Sequence, residues 1–169
     1  MTKVTEPLRK DRHYWLIKSD AESFSFDDLW NLPNRTTHWD GVRNFQARNY
    51  MRDEMKKGDL AFFYHSGGSD PGVVGVVEIV REGYPDHTAS DPKDPHYDPR
   101  SKSGEPYWSM VDVKAIERLP RHVSLSELRT KAELEGMPLL QKGNRLSVQK
   151  VGAAEWNAVM NLAKQDGGG

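Results

Sequence analysis

The stretch from Thr36 to Asn49 gathers an imidazole (His38), an indole (Trp39), two guanidiniums (Arg43, Arg48) and three side-chain amides (Asn44, Gln46, Asn49) where a helix should begin. A flat aromatic surface beside hydrogen-bonding groups suits recognition of a heteroaromatic ring, which packs on the indole while its edge is read by polar groups. Asp40 is placed to cap the first turn through its carboxylate. Good helix formers then continue to Lys57, and Gly58 supplies a left-handed exit, so a helix is expected over residues 42–57. At about 100° per residue, Ala47, Met51 and Met55 form one narrow apolar stripe. Extended backward, that stripe meets Arg48 and Asn44. Polar groups on a face turned toward protein need partners, so the start of this helix is a candidate ligand site. Trp39 falls outside the apolar period, which suits either a wall of that site or a staple on the helix N-terminus.

Other chemistries are poorly supported. Ser66, His65 and Asp70 hold the types of a nucleophilic triad, but neighbours on a strand point to opposite faces. There is no G-x-S-x-G elbow, P-loop or G-x-G-x-x-G fingerprint. His87, His96, Asp86, Asp91, Asp94 and Asp98 could ligate a metal, yet their spacing is irregular. The Asp-Pro steps at Asp91, Asp94 and Asp98 suit turns equally well. No cofactor or metal is expected.

Composition sets the bounds. The 169 residues form one domain by length, with 24 Lys and Arg against 25 Asp and Glu. A net charge of -1 argues against coating nucleic acid by charge alone. Charge is nevertheless uneven: residues 35–57 are basic, and residues 82–98 are acidic. The chain has no cysteine, which excludes disulfides and thiol catalysis. No segment approaches a membrane span, so a cytoplasmic protein, or a nuclear one in a eukaryote, is expected, monomeric by default. Residues 1–12 and 164–169 read as loose tails around a single domain at 13–163.

The elements that must position the site can be read in order. His13 to Lys18 is a strand, apolar on both faces. Ser25 and Asp28 have capping-box spacing, so a short helix follows and stops before Pro33. Leu60 to His65 and Val73 to Val80 are strands joined by the turn-rich residues 66–72. Residues 83–106 form a long Pro- and Asp-rich loop of the kind that is often functional. Tyr107 to Glu117 is a strand, Ser124 with Glu127 caps a short helix, and Arg145 to Val151 is a last strand. A terminal helix carries Trp156, Val159, Met160 and Ala163 at helical spacing. Trp15 and Trp156 fall on apolar faces and read as core. Five strands interrupted by unequal helices, with a hairpin breaking any βαβ rhythm, point to a mixed α/β (α+β) fold, a small curved sheet closing toward a barrel.

Several motifs together resemble one family. Trp15-Leu16-Ile17-Lys18-Ser19-Asp20, the run from Thr37 to Asn49, Phe63-Tyr64-His65-Ser66, Tyr84-Pro85-Asp86, Trp108 to Val113 and Arg145 to Val148 are similar, in order, to the EVE domain. The resemblance implies a PUA-like curved β-barrel flanked by helices and kinship with YTH domains, which hold a methylated adenine in an aromatic cage. It also implies a reader of modified bases, chiefly modified cytosine in DNA, with RNA also considered. Lys18, Ser19 and Trp39 match positions that line the YTH pocket, and Tyr64, His65 and Ser66 lie in a shared motif. Trp30 and Trp108 match no further cage wall.

Three functions follow as expectations. In the first, a non-enzymatic reader stacks a flipped base on Trp39, reads its edge with Ser19 and Asn44, and meets phosphate with Lys18, Arg43 and Arg48. In the second, the same pocket senses a free nucleobase-like molecule. In the third, an enzyme on modified bases uses His65 as acid or base.

Overall fold

The computed structural model describes residues 13–101 and 107–165. The N-terminal tail at 1–12, residues 166–169 and the last part of the 83–106 loop lie outside the described residues. One six-stranded sheet organises the rest: β1 (Tyr14–Asp20), β2 (Thr36–His38), β3 (Leu60–Ser66), β4 (Gly72–Pro85), β5 (Ser109–Ser124) and β6 (Val148–Val151), in the spatial order β2-β5-β4-β3-β1-β6. The β1–β3 pair is parallel and every other pair antiparallel. Around the sheet lie α1 (Phe26–Trp30), α2 (Phe45–Asn49), α3 (Leu125–Arg129) and α4 (Ala153–Lys164). This is a mixed α/β fold of PUA-like type.

Both sheet faces are covered, which explains strands apolar on both sides. Alternation sends Tyr14 and Leu16 of β1, with Leu60, Phe62 and Tyr64 of β3, to a core closed by α4. There the Trp156 ring lies 3.8 Å from Phe62 and 4.6 Å from Tyr14, stacked on each. The alternate residues Trp15, Ile17, Ala61 and Phe63 join Phe26, Leu29, Trp39 and Met51 on the opposite face. The long β4–β5 ladder shifts register repeatedly between Val73 and Tyr84, and each bulge bends the pair and increases its twist. At Gly75 a side chain has no room: a Cβ would stand 2.3 Å from the Phe26 ring. Its absence lets α1 lie directly on the sheet.

The local signals around α1, α3 and α4 match the structure. Ser25 and Asp28 form a reciprocal capping box, Ser124 accepts from the Glu127 N–H, and Trp156, Val159, Met160 and Ala163 are buried. Two readings are corrected. The single helix expected over 42–57 is instead α2 followed by a π-helical turn at Tyr50–Glu54, and its cap is Asn44, not Asp40. Asn44 has extended backbone angles and its side-chain oxygen accepts from the Ala47 N–H at 3.0 Å, whereas Asp40 sits in a loop four residues too early. The apolar stripe survives, with Ala47, Met51 and Met55 all buried. The second correction is β2, a sixth strand where only a helix approach was expected. Its Thr-Thr-His side chains are polar and half-exposed, so an edge strand of three residues leaves no hydrophobic alternation. No helix of the described residues is long and apolar enough to cross a membrane.

Candidate functional site

β2 pairs with β5 through Thr37 opposite Val113, and the ladder is prolonged when the Trp39 N–H donates to the Val111 carbonyl at 2.7 Å. That hydrogen bond fixes the backbone that delivers Trp39. Its ring meets Phe24 and Phe63 edge-on, with centroids at 6.2 and 5.6 Å, and the residue is 8% exposed. Trp39 is therefore core as well as wall, and its lack of helical period reflects arrival from a strand end. Among the described residues its indole N–H has no protein acceptor, whereas those of Trp15 and Trp108 are tied to Asp59 and Asp98.

Above Trp39 opens a cleft of about 440 Å³, within the size range of small-ligand sites. Lys18 and Ser19 at the end of β1 form one wall, the segment from Thr37 to Arg43 another, and Phe24, His96 and Ser147 complete it. The Ser19 hydroxyl donates to the Phe24 carbonyl at 2.5 Å, holding that ring in place. Strand alternation gives Ser19 to the Trp39 face, while the Lys18 side chain follows Leu16. Burial pushes the Lys18 ammonium below its ordinary pKa. The Lys18 N–H donates to the Ser147 carbonyl at 2.9 Å. The Asp40 carboxylate lies 3.7 Å from His38, too far for a hydrogen bond, and has no other ion-pair partner among the described residues.

The loop carrying Trp39 and Asp40 is fastened from beneath. Asp86, whose side chain is fully buried, accepts from the Gly41 N–H at 2.8 Å, from Arg43 at 3.0 Å and from the Thr88 N–H and hydroxyl. Burial opposes ionisation of Asp86, but the bonds from Thr88, Gly41 and Arg43 outweigh it and hold its carboxyl below the usual range. Arg43 spends all five of its N–H donors on the His96 carbonyl, Asp86, the Val42 carbonyl and Thr88. It is a clamp between two loops, with its N–H donors already engaged within the protein. Gly41 has φ +76°, and a Cβ there would lie 2.7 Å from the His96 ring. Gly41→Ala is thus expected to cost about 1–2 kcal/mol from the left-handed backbone alone, read as a lowered midpoint in thermal melting.

The remaining expected residues lie elsewhere. The side-chain oxygen of Asn44 is the α2 cap. Arg48 donates to the Tyr107 carbonyl at 2.8 Å and to Asn49. Tyr64 is buried in the α4-side core. His65 accepts from the Phe26 N–H at 3.0 Å through Nε2, so the neutral ring carries its proton on Nδ1. Burial, reinforced by His122, pushes the His65 pKa down. His65 thereby satisfies a helix N-terminus, and neither it nor Ser66 lines the cleft. Of the acidic loop, Asp91 and Asp94 accept from the N–H groups of Lys93 and His96, and Asp98 from Arg100 and Trp108. These carboxylates build turns. No cluster of three or more potential metal ligands occurs among the described residues. Reasoning from sequence missed Phe24, His96 and Ser147, which come from three separate turns with no periodic signal.

A PUA-like sheet bearing an aromatic-floored cleft beside its β1 and β2 ends defines the class of protein. The EVE domain family model matches residues 13–162, and the chain belongs to that family. Chicken thymocyte nuclear protein 1 is 46% identical over 169 residues, covering 90% of this chain and 69% of that protein. The crystal structure of human THYN1 protein in complex with 5-methylcytosine-containing DNA is 43% identical, with a TM-score of 0.86 over 91% of this chain and 99% of that one. A YTH domain from Zygosaccharomyces rouxii, at 14% identity, shares the fold with a TM-score of 0.52 over 97% of this chain and 92% of that one.

Proposed function

We propose that this chain reads a modified base in nucleic acid, a modified cytosine in DNA first and RNA as the other carrier, without chemical turnover. The observation that carries the reading is Trp39: an indole at the floor of a ligand-sized cleft, with an N–H that no group among the described residues accepts. The human relative, whose structure contains 5-methylcytosine DNA, supports it. The base leaves its stack, packs against Trp39 and Phe24, and is read by the Ser19 oxygen, the Asp40 carboxylate and loop backbone. A carboxylate accepts from the exocyclic amino group of cytosine, which gives Asp40 the task first assigned to Asn44. Lys18 and Arg48 remain for phosphate.

Oligonucleotides differing only in one modified base test this. Modified DNA should bind roughly tenfold or more tightly than its plain counterpart, in line with the value of a good base contact. The slope of log affinity against log salt should be shallow, about -2 to -4, for two to four phosphates. Equal affinity for modified and plain DNA sinks the reader. Tight, salt-insensitive binding of the free modified nucleoside alone turns the protein into a small-molecule sensor.

A further inference from the structure

Phe45 and Tyr97 are the two large hydrophobic residues left exposed among the described residues, at 46% and 41%, and both neighbour Trp108. Phe45 opens α2, and its ring is stacked on Trp108 with centroids 4.9 Å apart and planes 16° apart. Trp108 is itself buried and anchored by its indole N–H to Asp98 at 2.7 Å. Tyr107 meets the edge of Phe45 at 5.6 Å. One face of Phe45 is therefore held rigidly, and the residue remains half in water.

Guanidiniums surround this stack. Arg48 lies 4.9 Å from the Phe45 ring centroid, and Arg100 lies 4.8 Å from that of Tyr107. Among the described residues Arg48 has no carboxylate partner. Arg100 pairs with Asp98, but the Asp98 side chain is 12% exposed and that of Arg100 58%, so the outward charge is positive. A shallow depression of about 250 Å³ between Tyr97, Arg100 and Trp108 has Arg43 and His96 as its near wall, and the same two residues bound the Trp39 cleft. The depression beyond that wall reaches Tyr97 and Trp108, and Phe45 is stacked on the latter.

We propose that this aromatic–arginine surface is a second nucleotide subsite, which stacks the base of the nucleotide flanking the one in the cleft and meets its phosphate with Arg48 and Arg100. It rests on the reader function proposed above. Aromatic rings stack any base through its π face, and guanidiniums follow the backbone, so the subsite adds affinity without reading sequence.

The test compares a modified nucleoside monophosphate with a single-stranded heptanucleotide carrying the same modified base at its centre, on wild-type protein, Phe45→Ala and Phe45→Trp. Wild-type affinity should rise with length. Phe45→Ala should lose roughly tenfold or more for the heptanucleotide and nothing for the monophosphate, and Phe45→Trp should restore it. Phe45 is exposed, so the fold should persist, as an unchanged circular dichroism melt would show. Undiminished heptanucleotide binding by Phe45→Ala overturns the subsite and favours a protein partner for this surface. An equal loss for both ligands overturns it as well. If wild-type protein does not distinguish modified from plain heptanucleotide, the reader function fails, whereas a length gain that still depends on Phe45 upholds the subsite by itself.

Discussion

Trp39→Ala is expected to abolish measurable recognition of a modified base and to cost about 3–5 kcal/mol of stability, the usual range for emptying a buried aromatic site. The two effects share one cause. The indole packs edge-on against Phe24 and Phe63 and also floors the cleft, so its removal opens a cavity continuous with the site. The position of Trp39 outside the helical period suits a wall or a staple, and its burial against Phe24 and Phe63 makes it part of the core as well. Trp39→Phe separates the roles, because it retains much of the packing and deletes the N–H. It should unfold at a denaturant concentration closer to wild type, while binding falls up to roughly tenfold, in line with about 0.5–1.5 kcal/mol for one lost hydrogen bond. Denaturant titration and calorimetric binding at low temperature check both. Undiminished affinity in a stable Trp39→Phe protein would remove the indole N–H from recognition, and undiminished affinity in folded Trp39→Ala would remove Trp39 from the site.

Asp86→Ala should be as damaging from a greater distance. It deletes the acceptor of the Gly41 N–H, of Arg43 and of Thr88 together, and removal of one partner of a buried ion pair costs about 3–5 kcal/mol. The acid dependence has a definite sign. The Asp86 carboxyl is held below its ordinary range in the folded protein, so its stabilisation is complete above the unfolded value of about 3.9 and is lost as pH falls through the folded value. Wild-type protein should lose stability below about pH 4 more steeply than Asp86→Asn, which has no charge to lose. Parallel acid titrations of the two proteins would remove Asp86 as the anchor.

Much of the framework is legible from local signals, because those signals are themselves structural causes. Ser25 with Asp28 and Ser124 with Glu127 satisfy helix ends, Gly72 closes the β3–β4 turn, and the spacing of Trp156 to Ala163 is the buried face of α4. The division of α2 was not legible. Asp40 and Asn44 are both competent caps, and the choice is made by Asp86, distant in sequence, which captures the Gly41 N–H and keeps residues 40–43 out of the helix. The strand β2 was hidden because its sheet position depends on β5 rather than on its own side chains. The site was half legible. The run around Trp39 advertises itself by composition, while Phe24, His96 and Ser147 reach the cleft only through tertiary folding. Arg43 carries the right chemistry for phosphate, and its neighbours consume it.

The parallel partner of β1 has a consequence for how the protein is made. Residues Tyr14 to Ile17 pair on one side with Leu60 to Phe63 and on the other with Val148 to Val151. A ribosome therefore delivers one edge of β1 long before the strand that covers it. Until β6 emerges, that edge shows unpaired amides and carbonyls above an apolar face, the kind of template on which nascent chains join one another. The Lys18 N–H waits as long for the Ser147 carbonyl, so the cleft is among the last features to close. Pairings this remote in sequence also slow folding, and a chain released early, or one weakened in β6, is most exposed to aggregation at the strand that begins its binding site.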